Sequence, residues 1–195
     1  MAGFGIALTA TCIAWVDRPA STWSHAHFHG VLFFHRLTHL VDPLLPLSCI
    51  GLAWLGVNAL LRLPQPACAK TVLTFCLATV VTYTIKEELK LFFGRTWPET
   101  FTQNNPSWIG MQAYGFHIMH GGEGWTSFPS GHTADTTAPM TVLWYRVPRG
   151  RLLWVSWVAL VVIGLYGSDY HFIGDMVAGA LLAFGCATAI LKLAE

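Results

Sequence analysis

The sequence predicts an all-α membrane protein, a six-transmembrane-helix bundle whose single domain covers residues 1–195. Three observations support this fold class. The chain is 54% hydrophobic, with a mean hydropathy of +0.51, far more apolar than a soluble domain of this size. Charged residues make up only 11% of it. Because a membrane span needs about 20 residues, six spans would use nearly the whole chain and leave little for a soluble domain.

Six apolar stretches are the predicted spans. The first is short, but it lacks the basic region of a cleaved signal peptide, so we interpret it as the first helix. The second is irregular in its first turns, which contain Asp42, Pro43 and Pro46. The third carries charged residues in its last turns, so its end must be hydrated or paired. The six spans are residues 2–16, 40–61, 71–93, 130–147, 151–166 and 172–193.

Residues 17–39, between the first two spans, mix aromatic side chains with histidines and arginines. This mixture is typical of the headgroup layer, so we expect an interfacial helix there. The run His25, His27, His29 could suggest a metal site. On a helix, however, this spacing spreads the three rings around the axis, so we predict no metal site from the run.

The longest polar region, residues 94–128, has two glycine-rich turns and no periodic pattern long enough for a span. We predict a loop that covers the functional site. His117 and His120 lie in this loop, and the sequence leaves open whether they contact a substrate or only order the loop.

The distribution of lysine and arginine predicts the orientation of the bundle. With six spans, the 62–70 loop, the 146–151 loop and the C-terminal tail share one side and hold six of the eleven basic residues. That side is predicted to be cytoplasmic. The ends of spans that carry the polar clusters then face outward, so we expect a multi-pass protein of a bacterial cytoplasmic (inner) membrane whose site faces the periplasm or exterior.

Charge and cysteine content limit the partners of the chain. A net charge of +1 argues against nucleic acid, which requires clustered basic residues, so the bilayer and its lipids are the expected partners. The five cysteines form no CxxC pair and lie mostly in apolar stretches, where cysteine behaves as a small hydrophobic residue. No disulfide framework is expected.

Three polar clusters, residues 90–98, 129–132 and 171–175, lie where predicted spans begin or end. His171 and Asp175 are four residues apart at a helix start, so the carboxylate can accept the Nδ1 proton and leave Nε2 as a nucleophile or base. A polar pair of this spacing is also common as a purely structural feature.

The other two clusters add an anion site and a proton donor. Ser130 and Gly131 begin a helix, whose exposed N–H groups favour an anion, and His132 can donate a proton. Lys90 and Arg95 supply positive charge for phosphate oxygens. Taken singly, the second cluster could be an ordinary helix cap. The meeting of all three clusters on one side favours a single site.

These clusters resemble the motifs of the phosphatidic acid phosphatase type 2 (PAP2) superfamily, which run K-x6-R-P, P-S-G-H and S-R-x5-H-x3-D. The resemblance implies a membrane phosphatase that forms a phosphohistidine intermediate, with no metal ion and no cofactor. It implies His171 as nucleophile with Asp175 as its orienting partner, and His132 as general acid. The resemblance also implies that Lys90, Ser130 and Gly131 bind the phosphate, and Pro98 is the last residue of the first motif.

Both motif arginines are replaced in this chain. Trp97 stands where the first motif has arginine, and Gly164-Leu165 stands where the third has Ser-Arg. We predict that Arg95, two residues upstream of the expected position, binds the phosphate instead. Lys86 and His117 are further candidates for the missing charge, although for Lys86 we prefer snorkelling towards the interface or pairing with Glu87 and Glu88.

The resulting prediction is a metal-independent hydrolase that removes a phosphomonoester or pyrophosphate from a lipid head group at the extracytoplasmic face. Two other functions remain open. The missing arginines are compatible with a catalytically weakened member that binds or transports lipids. Ser130 with His171 could also form an intramembrane serine hydrolase, although PSGH with two histidines fits phosphoryl transfer better than a nucleophile elbow.

Overall fold

Helices form the regular structure of residues 2–101 and 104–195, which the computed structural model describes. A π-helical turn, Cys12–Val16, joins the first two helices, and a 3₁₀ turn, His39–Val41, follows the third. In the described residues the α-helices are α1 Ala2–Thr11, α2 Asp17–Phe28, α3 Leu32–Thr38, α4 Leu44–Leu60, α5 Ala69–Phe93, α6 Trp108–Met111, α7 Gly131–Arg146, α8 Arg151–Gly167 and α9 Ile173–Leu193.

Within residues 2–101 and 104–195, three helical segments are long and apolar enough to cross a membrane: Leu32–Leu60, Pro148–Gly167 and Ile173–Leu193. The all-α membrane class is therefore confirmed. The predicted spans 2–16, 71–93 and 130–147 are helical, as α1 with its π-helical turn, α5 and α7, but they do not meet this criterion. Residues 2–16 and α7, which has 16 residues, are too short, and α5 ends in a charged cluster. The six-span arrangement stays a prediction.

Residues 17–39 contain two helices rather than one. Helix α2 continues from α1 and places Asp17, Ser21 and Ser24 on a buried face, because spacings of four and three residues return to the same side of a helix. Ser24 Oγ donates to the carbonyl of Tyr166 in α8 at 2.6 Å. One polar face of α2 thus packs on the bundle, and the interfacial helix is not confirmed.

Helices α5, α7 and α9 form the centre of the bundle. They meet through small side chains that let the helix backbones approach closely. Gly179 in α9 is the clearest case, because a Cβ there would lie 2.5 Å from the carbonyl oxygen of Ser130. This contact brings the start of α9 beside the start of α7. The buried cluster comprises Ala78, Ala134, Ala138, Val142, Ala183, Ala187 and Leu191.

Gly94 turns the chain from α5 into the long loop. Its backbone is left-handed (φ 55°), and a Cβ at this position would collide with the carbonyl oxygen of His117. The loop then folds back over the end of the bundle, where Arg95 forms isolated bridges with Phe116 and Thr126. Apart from α6 and a 3₁₀ turn, the described part of the loop is irregular, as its sequence predicts.

Candidate active site

The three polar clusters meet at one end of the helix bundle. The amide of Ser130 donates to the carbonyl of Asp175 at 3.0 Å, which links the start of α7 to the first turn of α9. The ring centroids of His132 and His171 lie 6.3 Å apart. Two imidazoles from separate parts of the chain therefore lie close together at this end of the bundle.

His171 is buried immediately before α9. Its Nδ1 lies 3.5 Å from Oδ2 of Asp175, a long separation for a hydrogen bond but within ion-pair range. Burial lowers the pKa of His171, although the Asp175 carboxylate opposes this effect. The lowered pKa favours the neutral ring, which is the form that can act as a nucleophile.

Asp175 serves more partners than His171 alone. Its Oδ2 accepts a hydrogen bond from Ser127 Oγ at 2.6 Å and another from the amide of Phe172 at 3.1 Å. Its Oδ1 forms a very short ion pair with the guanidinium of Arg95. Ser127 and Arg95 are buried, and the third donor is a backbone amide. These donors therefore fix the carboxylate beside His171 in position.

Arg95 differs from its predicted role. Its side chain is fully buried, and Nη2 donates to Oδ2 of Asp17 at 2.6 Å and to the hydroxyl of Tyr114 at 2.7 Å. Its guanidinium also lies against the ring of Phe172, with Cζ 4.7 Å from the ring centroid. The prediction that Arg95 binds the phosphate is therefore corrected: its charge is committed to Asp17 and Asp175, which it joins.

Sequence reasoning missed Asp17. Its carboxylate accepts from Arg95 and, through Oδ1, from the amide of Gly174 at 2.7 Å. A Cβ at Gly174 would lie only 2.9 Å from Asp17 Oδ2, so the glycine admits this contact. One signal was available: Asp17 is the only acidic residue in the first 41 positions, directly after an apolar stretch. A carboxylate at the edge of an apolar stretch needs a charged or hydrogen-bonding partner.

Two lysine ammonium groups converge on the start of α7. A Cβ added to Gly131 would lie 3.0 Å from Lys86 Nζ and 3.1 Å from Lys90 Nζ. Lys86 is buried, so the expectation of a snorkelling side chain is wrong for this residue. Lys86 pairs with Asp135 at 2.7 Å, and Lys90 pairs with Glu87 at 3.1 Å. This cluster, the lysine cradle, thus comprises two cations, Lys86 and Lys90, and two carboxylates, Asp135 and Glu87.

Ser130 caps helix α7. Its backbone is extended, and its Oγ accepts from the amide of Thr133 at 3.4 Å while sharing a hydrogen bond with that residue's hydroxyl at 3.0 Å. The cap leaves the first amides of the helix, those of Gly131 and His132, beyond reach of intrahelical acceptors. His132 itself is half-buried, with its ring 5.4 Å from that of Tyr170.

His117 orders the loop. Its amide donates to the carbonyl of Gly94 at 2.8 Å, and its ring packs 4.2 Å from the ring of Trp125. Trp125 also packs on His120 at 4.2 Å. Of the two alternatives for His117, these contacts favour ordering of the loop, and substrate binding by its exposed side chain stays a prediction.

The positions of the missing arginines are filled by packing residues. Trp97 lies 5.1 Å from the ring of His171, and its Nε1 donates to the carbonyl of Glu123 at 2.8 Å. Leu165 is fully buried in an apolar cluster with Val161 and Met176. Gly164 allows α3 to approach α8, because a Cβ there would lie 2.8 Å from the carbonyl oxygen of Phe34.

Comparison with known proteins supports the family indicated by the motifs. The family model of the PAP2 superfamily matches residues 71–195, which include most of α5 and all of α7 to α9, together with all three polar clusters. No curated protein and no solved structure matches the chain. Because the family match covers more than half of the sequence, the chain belongs to the PAP2 superfamily.

Proposed function

We propose that the protein is an integral-membrane lipid phosphatase that hydrolyses a phosphomonoester or pyrophosphate of a lipid head group. The observation that carries this proposal is the pair of imidazoles, His132 and His171, with ring centroids 6.3 Å apart. They flank the start of a helix at which two lysine ammonium groups meet. A nucleophile, a proton donor and an anion cradle are thus within reach of one tetrahedral group.

The phosphate would bind at Gly131. The absence of a side chain there leaves room for a phosphate oxygen between the helix N-terminus and the ammonium groups of Lys86 and Lys90. Free amides and the helix dipole favour a negative charge at this point. A phosphate at this point would lie beside His132, the proposed general acid.

The chemistry then proceeds in two displacements. In the first, His171 Nε2 attacks phosphorus, a P–N bond forms, the P–O bond to the leaving group breaks, and His132 protonates the leaving oxygen. In the second, water attacks phosphorus and gives a proton to His132, while the P–N bond breaks. Inorganic phosphate leaves, and both histidines return to their starting states. No metal ion enters these steps.

Asp175 and Arg95 act as positioning residues in this scheme. Asp175 would hold the imidazole of His171 and stabilise its positive charge in the intermediate. Arg95 would hold Asp175 in turn, while Asp17 fixes Arg95 from the other side. A phosphohistidine places a positive ring in a buried site, so a fixed carboxylate beside it is chemically useful.

A lateral cavity supports a lipid substrate. It measures about 530 Å³, is lined by apolar residues of α8 and α9, and reaches Thr133, next to His132. An acyl or prenyl chain would occupy it while the head group reaches Gly131. We place the site at the extracytoplasmic face of a bacterial cytoplasmic membrane, on the basis of the arginine-containing loops at the opposite end of the bundle.

The test is phosphate release by detergent-purified protein from a panel of undecaprenyl pyrophosphate, phosphatidylglycerol phosphate, phosphatidic acid and lipid A. We expect release from at least one lipid and none from the His171→Ala variant. With substrate labelled in the transferred phosphate, the wild type should retain acid-labile label, and His171→Ala should not. Full activity of the variant would exclude the mechanism.

A second function is favoured by one observation. Lys86 and Lys90 are already paired with Asp135 and Glu87, so the cradle carries little net charge before an anion arrives. This suits a catalytically weakened member that binds or transports lipid phosphates. Saturable binding of the same lipids without phosphate release would support it over the phosphatase.

A further inference from the structure

Four potential metal ligands converge beside the site, and none of them belongs to the phosphatase chemistry. His25 and His29 are four residues apart on α2, so their rings share one face, with centroids 4.2 Å apart. Glu99 lies in the loop after α5, and Asp169 lies between α8 and α9. One ligand atom from each of the four lies within 4.8 Å of the others.

We propose that His25, His29, Glu99 and Asp169 bind a divalent transition-metal ion of the Zn²⁺ type. The distance from His25 Nδ1 is 3.0 Å to Glu99 Oε2 and 2.9 Å to Asp169 Oδ2, and His29 Nδ1 lies 3.3 Å from the same Asp169 oxygen. Ligands about 2.0–2.1 Å from a tetrahedral zinc ion stand roughly 3.3 Å apart. These three separations come near that value, and the other three lie within 4.8 Å, so small side-chain shifts would bring all four ligands onto one ion.

Hydrogen bonds alone explain this cluster poorly. A single Nδ1–H of His25 points in one direction, yet carboxylate oxygens of both Glu99 and Asp169 lie within 3.0 Å of that atom. Asp169 is buried, and its second oxygen, Oδ1, has no hydrogen-bond partner among the described residues. A buried carboxylate in this state is costly unless a cation compensates it.

The donor set selects the class of ion. Two imidazole nitrogens suit zinc and its neighbours in the first transition series, whereas magnesium and calcium prefer oxygen ligands alone. An open pocket of about 200 Å³, lined by His29 and Glu99 among others, gives the ion access from outside the bundle. His27 takes no part, because its ring stacks on Trp23 on another face of α2.

The ion would connect three separate parts of the fold near His171. Asp169 precedes His171 by two residues, and Glu99 follows Trp97, whose ring packs on His171, by two residues. A metal at this place would tie the end of α2 to the segments that carry the nucleophile and its aromatic neighbour. Its role would be structural, outside the reacting atoms.

The experiment uses the full-length protein in detergent, without a histidine tag, stripped with a chelator and dialysed. Titration with ZnCl₂ should show one high-affinity site by calorimetry, and elemental analysis after desalting should find one zinc per chain. Substitution with Co²⁺ should give the visible absorption of a four-coordinate site with nitrogen and oxygen ligands.

Matched variants complete the test. His25→Ala, His29→Ala and Asp169→Asn should lose the bound zinc and the zinc-dependent rise in Tm, while His27→Ala, in the same histidine run, should keep both. Asp169→Asn preserves the shape of the side chain, and its elution in size-exclusion chromatography reports whether the fold is retained. Zinc content in folded Asp169→Asn equal to that of the wild type, or no saturable zinc binding by the wild type, would overturn the proposal.

Discussion

Arg95 and Asp175 form an ion pair that is fully buried, between the loop after α5 and the first turn of α9. The same guanidinium reaches Asp17 at the junction of α1 and α2. One arginine therefore joins three separate parts of the chain directly behind His171. Because all three side chains are buried, removing one partner would leave the opposite charge of the others uncompensated.

The first prediction concerns stability. Replacing Arg95 with methionine keeps much of the side-chain volume but leaves the carboxylates of Asp17 and Asp175 without their cation. We expect the free energy of unfolding to fall by about 3–5 kcal/mol. Denaturant titration in detergent, followed by tryptophan fluorescence, measures this change.

Arg36 provides the matched control because it is exposed on α3. Arg36→Met should change the free energy of unfolding by no more than about 0.5 kcal/mol. Equal stability of the two variants would show that the buried network around Arg95 contributes nothing.

The convergence of the three clusters could be predicted from the sequence, but the direction of Arg95 could not. Span boundaries place residues 90–98, 129–132 and 171–175 at one end of the bundle, and His132 and His171 do meet there. Because Arg95 lies two residues from the expected motif arginine, the sequence alone favours phosphate binding by this side chain. Its partner Asp17 is 78 residues away in sequence, and no local pattern indicates that pairing.

Helical spacing alone could have predicted that Lys86 lies beside Lys90. It lies four residues before Lys90 in α5, so both side chains point from the same face. The alternative of pairing with nearby acids was partly right, since Lys86 contacts Glu87 at 3.2 Å. Its shorter contact, with Asp135 of α7, depends on tertiary packing and lies beyond sequence reasoning.

The second prediction tests the lysine cradle. Lys90→Met should reduce kcat/KM for phosphate release by about 10²–10³, because it removes a preorganised charge beside the transferring group. For Lys86 the substitution is combined with Asp135→Asn, so that no buried carboxylate is left unpaired. A similar loss is expected.

The control for the cradle is Lys70→Met. Lys70 is exposed at the opposite end of α5, about 30 Å from Lys90 by helix geometry. The rate of phosphate release by the Lys70→Met variant should match that of the wild type. If Lys90→Met were equally active, phosphate binding at Gly131 would have to be abandoned.

The third prediction tests the orientation in the membrane. The tail after α9 should be cytoplasmic, since it shares an end with the loops that contain Arg62 and Arg149. Green fluorescent protein fused after Glu195 should fluoresce in cells, and alkaline phosphatase fused at the same point should be inactive. The reverse pair of results would place the site at the cytoplasmic face.

The fourth prediction separates lipid recognition from chemistry. Ala180 lines the apolar cavity between α8 and α9, and Ala180→Trp should fill the space in which a lipid chain would lie. We expect KM for the lipid substrate to rise at least tenfold, while hydrolysis of water-soluble p-nitrophenyl phosphate is retained, because the residues around Gly131 are unchanged. Ala59→Trp, on an exposed position of α4, is the control and should affect neither substrate. Parallel losses with both substrates in Ala180→Trp would mean that the cavity supports the site rather than receiving the lipid chain.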